Sequence, residues 1–148
     1  MKNSKSQKEF LNKKANFNYS IDDTLETGIV LTGNEIKAIR NGRVSMNTSY
    51  AKIMNGELWW VGGSIQTGSG MDDQRTRKLL VKKSELSKLV GAYEEKGQTI
   101  VPIKMYIKRG KAKLLVGLGK GKKKRDKRDL LRKKDQERAT KRLIKSVR

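Results

Sequence analysis

Cysteine and histidine are both missing from the 148 residues, and proline occurs once, at Pro102. The first two absences rule out a disulfide framework, a thiolate nucleophile, an imidazole base and any ordinary zinc site. No metal and no cofactor is expected. Long apolar runs are lacking too: nothing approaches the roughly 18 residues that span a bilayer, and the opening "MKNSKSQKEFLNKK" has no apolar core of a signal peptide. A cytoplasmic protein with no membrane partner is expected. Acidic residues are scarce, 15 against 36 lysines and arginines, for a net charge of +21. A compact chain so far from neutrality repels itself unless an anion relieves it, and nucleic acid is the leading candidate.

What is present divides the chain in three. With 34% apolar residues it can bury one modest core. Residues 119–148 hold 15 basic and 4 acidic residues, about half the net charge in a fifth of the length. The expected organisation is a basic N-terminal arm over 1–14, a body over 15–118 and a basic C-terminal tail over 119–148.

The body alternates with period two. In "TLETGIVL", Leu25, Thr27, Ile29 and Leu31 share one face and Glu26, Gly28 and Val30 the other. Asn55-Gly56 tolerate positive φ and predict a tight hairpin within "SYAKIMNGELWWVGGSI", and a second hairpin turns near Arg109-Gly110. Pro102 cannot donate to a ladder, so its strand is expected at an edge or with a bulge. "TGNE" has capping-box spacing, with Thr32 as N-cap, Glu35 at N3 and Gly42 as the stop. A second helix opens at Ser84, with Leu86, Leu89, Val90 and Tyr93 as its inner stripe and Gly97 as its end. About six antiparallel strands with two to three short helices predict a mainly β fold, a compact OB-like barrel, because closure removes vulnerable edges.

Several polar and aromatic residues can be placed on this layout. Lys13 and Lys14 close the N-terminal arm. "QTGSGMDDQRTRK" has loop composition and ends in the cations Arg75, Arg77 and Lys78, which read equally as a solvated loop and as a grip on nucleic acid. Glu26 lies opposite the apolar face of its strand; on the residues alone an ordinary solvent-facing glutamate is the preferred reading, and the alternative is a carboxylate that accepts from exposed base donors and repels misplaced phosphates. Tyr19 is able to stack on an unpaired base, although a lone strand tyrosine is more often packed at a rim. Trp59 and Trp60 are strand neighbours, so one points into the core and the other away from it. Beyond Asp126 the tail has no glycine or proline and pairs Asp129 with Lys133 and Glu137 with Lys141 at i, i+4. Its apolar residues are too sparse to dock on the barrel, so it is expected to fold on a polyanion that offsets the ordering cost.

Three stretches, "NKKANFNYSIDDTLETGIVLTGNEIKAIRNGRVSMNTSYAKIMNGELWWVG", "RTRKLLVKKSELSKLVG" and "GLGKGKKKRDKR", resemble the SsrA-binding protein (SmpB) family of bacterial trans-translation, from about Asn12 to the C-terminus. The resemblance implies an OB-like barrel that grips the tRNA-like domain of transfer-messenger RNA through the positions matching Asn12, Tyr19, Glu26 and Leu80. It implies delivery of that RNA to ribosomes stalled on messages without a stop codon, with elongation factor Tu involved indirectly through the charged RNA. It further implies that Lys120, Lys122, Lys123, Lys124, Arg125, Asp126, Lys127 and Arg128 enter the vacant decoding centre and mRNA channel beside the 16S ribosomal RNA, where the tail becomes helical. Arg125 departs from the histidine or aromatic frequent among relatives at its position, although a guanidinium also stacks. The protein is expected to be a monomer and not an enzyme.

Two other readings stay open on the residues alone. A structural RNA-binding protein would share the basic barrel and extensions. An RNA-cleaving enzyme would need a partner for Glu26, and no spacing places a second carboxylate or a tyrosine beside it.

Overall fold

The computed structural model describes residues 9–68, 70, 72–95, 97–122, 128 and 131–139. Among them the main sheet is built from β1 (Glu9–Leu11), β2 (Tyr19–Ile29), β4 (Tyr50–Met54), β5 (Glu57–Val61), β7 (Arg77–Leu80), β8 (Thr99–Lys108) and β9 (Lys111–Gly121), while β3 (Val44–Ser45) and β6 (Ser64–Ile65) form a small second sheet. Three helices interrupt the strands: α1 (Ala15–Asn18), α2 (Gly33–Arg40) and α3 (Lys83–Glu95).

The strands run in the order β8-β4-β5-β7-β2-β9, and β9 returns to β8, closing a six-stranded antiparallel circuit. β1 is added outside the circuit, on the β8 edge that also carries β4. The junction of β4 with β8 is a single residue pair, Ala51 with Ile100, whereas β2 and β9 are paired along most of their length. This is the OB-like barrel expected of the sequence, with three long strands and several short ones.

Local chemistry explains the turns. Asn55 and Gly56 both take positive φ, 52° and 74°, as do Arg109 and Gly110 at the β8–β9 turn, 53° and 76°; double positive φ is the geometry that matches strand twist in a two-residue hairpin. Pro102 sits in a strand paired on both edges, and the conflict is resolved by a register shift between Pro102 and Lys104. A second shift, between Ile21 and Asp23, leaves Asp22 as the extra residue of β2 and joins "NYSID" to "TLETGI" in one strand. Thr32 caps α2 by accepting from the Glu35 backbone N–H, while Glu35 Oε1 accepts from the Thr32 N–H, so the capping box forms as expected.

Trp60, Leu58, Ile39, Leu79, Ile100, Met105, Leu114 and Val116 fill the core. Trp60 is the inward member of the tryptophan pair, and its indole lies so close to Gly63 that a Cβ there would stand 1.9 Å from Trp60 Cζ2. Only glycine fits at 63. On α3 the buried residues are Leu89 and Ala92, whereas Tyr93, expected in the inner stripe, is exposed.

Both boundaries of the body move outward. The expected N-terminal arm is part of the fold from Glu9, since β1 pairs with β8 and Asn12 is buried. At the other end β9 continues through Gly121, and the Lys122 N–H donates to the Asn18 carbonyl at 2.8 Å. The body therefore continues past Leu118, at least to Lys122. Residues 131–139 are helical with every side chain exposed, in keeping with their sparse apolar content. Among the described residues no helix is long and apolar enough to cross a membrane.

Candidate nucleic-acid interface

Of the sequence-predicted residues, Asn12, Lys14 and Tyr19 line one place on the outer surface and Glu26 another. The first is an open cleft of about 570 Å³, whose lining includes Asn12, Lys14, Tyr19, Tyr50, Lys52 and Tyr93. Asn12 is placed by two hydrogen bonds to β8: its backbone N–H donates to the Ile103 carbonyl and its Nδ2 to the Pro102 carbonyl, both at 2.8 Å. Its Oδ1 is buried without a partner. Three phenol rings and two ammonium groups around a cleft can stack bases and hold phosphates. Tyr50, Lys52 and Tyr93 were missed because nothing local marks them; only closure of the barrel brings β4 and the end of α3 to Tyr19. Lys13 is exposed beside the cleft.

The second place surrounds Glu26, in a shallow depression of about 370 Å³ lined also by Lys108, Arg109, Lys111 and Lys113. The Tyr106 hydroxyl donates to Glu26 Oε2, and Lys108 Nζ stands 3.8 Å from the same oxygen. That hydrogen bond, with Lys108 and Lys113 nearby, outweighs partial burial and holds the Glu26 carboxyl below its ordinary range. Desolvation, the hydrogen bond to Glu26 and the charge of Glu26 push the Tyr106 phenol up to about 12. So a tyrosine does stand beside Glu26, supplied from 80 residues away. It stays protonated and donates to the carboxylate, which does not make it a proton acceptor at neutral pH.

Tyr19 and Glu26 are an odd number of residues apart and would face opposite ways on a regular strand. The extra residue at Asp22 shifts the alternation by one and brings both to the outer face. Seven residues of strand set them about 23 Å apart, so one ligand touches both places only if it is large.

Leu80 is 53% exposed on the outer face, opposite Gly28. Lys78 is on the same face, paired with Glu57 and next to Trp59 across the β5–β7 ladder. Arg77 was expected to reach nucleic acid and does not. Its side chain is 0% exposed, with Nε donating to Glu35 Oε2 at 2.7 Å, Nη1 to the Gly63 carbonyl at 3.0 Å and Nη2 to the Asp73 carbonyl at 2.8 Å. Its guanidinium also lies 5.4 Å from the Trp60 ring centroid. Alternation along β7 turns Arg77 inward and Lys78 outward. Arg75 is partly exposed but tied to Glu35 Oε1. Burial alone would raise the Glu35 carboxyl; hydrogen bonds from Arg75, the Thr32 N–H and Arg77 together hold it below the usual range.

Of the expected tail residues, Lys120 and Arg128 are exposed, and Lys122 Nζ donates to the Asn16 carbonyl. Lys123, Lys124, Arg125, Asp126 and Lys127 lie outside the described residues.

Comparison with known proteins bears on this surface. The family model described as SmpB protein matches residues 9–146. The chain is 48% identical over 141 residues to the SsrA-binding protein of Streptococcus thermophilus (strain ATCC BAA-491 / LMD-9), covering 92% of each. It is 51% identical over 132 residues to the SsrA-binding protein of Bacillus subtilis (strain 168), covering 86% of this chain and 85% of the relative. Among solved structures, one described as "tmRNA-SmpB: a journey to the center of the bacterial ribosome" superposes with a TM-score of 0.65 at 43% identity, over 78% of this chain and 85% of that one.

Proposed function

The chain belongs to the SmpB family, and from that premise we propose that it binds the tRNA-like domain of transfer-messenger RNA and delivers it to stalled ribosomes for trans-translation. Its partners are that RNA and the ribosome, and elongation factor Tu joins indirectly through the charged RNA. The carrying observation is the match over residues 9–146, which takes in both the barrel and the basic C-terminal segment.

The work divides between the two parts. The body supplies the specific grip. Tyr19, Lys14 and Lys52 at the cleft meet unpaired bases and backbone, while Glu26, rimmed by lysines, accepts from a base or ribose donor, and Leu80 gives apolar contact beside it. Lys13, Arg75 and Lys78 flank this surface. Asn12, mostly buried, holds the N-terminal segment against β8 and so sets the rim of the cleft. The tail, from Lys120 through Lys122, Lys123, Lys124, Arg125, Asp126, Lys127 and Arg128, probes the decoding site and mRNA channel. The physical logic is occupancy: an mRNA in the channel excludes the tail, so only a ribosome with a vacated channel accepts it. The protein works by binding in the cytoplasm, as a monomer, and not as an enzyme.

Sequencing the RNA that co-purifies with the chain tests this reading. One dominant transfer-messenger species is expected. Recovery of ribosomal RNA in its place would return the chain to the general RNA-binding class, and cleavage of labelled RNA by the purified protein would overturn the assignment as a binding protein.

A further inference from the structure

Glu26 lies in a depression otherwise lined by Lys108, Arg109, Lys111 and Lys113, and a tyrosine from another strand holds it. We propose that Tyr106 is a positioning residue, which fixes Glu26 as the acceptor for one hydrogen-bond donor of the bound RNA, a base amine or a ribose hydroxyl. The inference rests on the proposed RNA-binding function and deepens it.

The geometry carries the assignment. Both protein contacts to the carboxylate fall on Oε2, from the Tyr106 hydroxyl and from Lys108 at 3.8 Å, and none of the described residues donates to Oε1. A free glutamate on a strand samples several rotamers, and ordering it on binding costs affinity. The Tyr106 hydrogen bond meets that cost before RNA arrives. Tyr106 is itself held, because the β8–β9 ladder sets it across from Lys113, β1 sets it across from Glu9, and Lys104 Nζ stands 5.7 Å from its ring centroid. Its phenol, pushed up to about 12, keeps its proton throughout the physiological range, so the hydrogen bond persists wherever the protein works.

The surrounding charge sorts what reaches the free oxygen. Lys108, Arg109, Lys111 and Lys113 attract phosphates to the rim, while the carboxylate repels a phosphate from the centre. A neutral donor flanked by phosphates satisfies both at once. An amine or hydroxyl of RNA has that form, and a carboxylate on a fixed axis reads it by direction.

A double-mutant cycle on the full chain separates this from a structural role. The probe is a labelled transcript of the tRNA-like domain, titrated at several salt concentrations. Tyr106→Phe should weaken binding about tenfold, the worth of one hydrogen bond to a charged group. In a Glu26→Ala background the same substitution should cost less than twofold, because its target is gone. The slope of log K against log salt should be the same for Tyr106→Phe as for the parent, since no cation is removed. Equal losses in both backgrounds would mean that Tyr106 contacts RNA or supports the fold directly, and would overturn the proposal. Unweakened binding by Glu26→Ala would reduce Glu26 to a counter-ion of the lysines, with the same result. If the parent bound a ribosomal transcript as tightly as this probe, the proposed function would fail by itself. The cycle would still be readable on either RNA.

Discussion

Replacing Arg77 by lysine keeps the charge and removes the planar fork, which sets a brace in the core apart from a cation on an RNA-binding surface. The guanidinium spans Glu35 Oε2, the Gly63 carbonyl and the Asp73 carbonyl from three separate nitrogens. An ammonium is a single point of donors and cannot reach three acceptors arranged around a plane. If it stays with Glu35, one or both carbonyls lose their donor, and each buried acceptor left unpaired costs about 1–3 kcal/mol. Arg77→Lys should therefore destabilise by about 2–4 kcal/mol. At about 3 °C per kcal/mol for a chain of this size, Tm should fall by roughly 6–12 °C. Arg77→Met should cost more, about 3–5 kcal/mol, because it leaves a buried carboxylate with Arg75 as its one remaining cation. Differential scanning calorimetry of parent and variants reads the ranking, and RNA affinity of the folded Arg77→Lys variant at low temperature should match the parent. A Tm within 2 °C of the parent, together with weakened RNA binding, would refute the assignment of Arg77 to the core.

Glu35 predicts a pH dependence of the same brace: its folded carboxyl is held below the unfolded value, so its stabilisation is complete above the unfolded carboxylate range and is lost as pH falls through the folded value, which acid-unfolding curves of parent and Glu35→Gln should show converging at low pH. Gly63→Ala should destabilise by about 1–3 kcal/mol through overpacking against Trp60 and alter the near-ultraviolet circular dichroism of that ring; an unchanged spectrum would contradict the close approach. A chain ending at Lys122 should keep the parent's Tm and RNA affinity but lose ribosome rescue, whereas one ending at Leu118 should also lose stability, since it strips the β9 residues paired with Tyr19, Ser20 and Ile21. Equal melting of the two truncations would place the root of the tail earlier than Lys122.

Features written in short stretches of sequence were legible. Two hairpins follow from residue pairs that accept positive φ, and the α2 cap follows from a hydroxyl and a carboxylate three residues apart. Features that depend on distant partners were not. Glu35 fits the capping box so well that nothing in its neighbourhood discloses its second role, as the counter-ion of a guanidinium 42 residues away. Arg75, Arg77 and Lys78 look alike in the sequence, and only strand alternation separates the buried one from the others. Tyr106 and Glu26 meet because β8, β9 and β2 lie side by side, which pairwise spacing cannot reveal. Composition misplaced the ends of the body for a related reason: charge density marks where lysines begin, while backbone pairing of the body runs on past Leu118 to Lys122.

The single pair by which β4 meets β8 gives the barrel a seam, and the open cleft lies across it, with Tyr50, Ala51 and Lys52 on one bank and Thr99 and Val101 on the other. A ladder this narrow opens by local fluctuation more cheaply than the long β2–β9 and β8–β9 ladders, so amide protons near Ala51 and Ile100 should exchange first in the free barrel. A ligand lying in the cleft touches both banks and fits only the closed form, so it slows that exchange in proportion to its occupancy. RNA bound there would act as a clasp, with the grip on the ligand and the last closure of the barrel joined in one equilibrium.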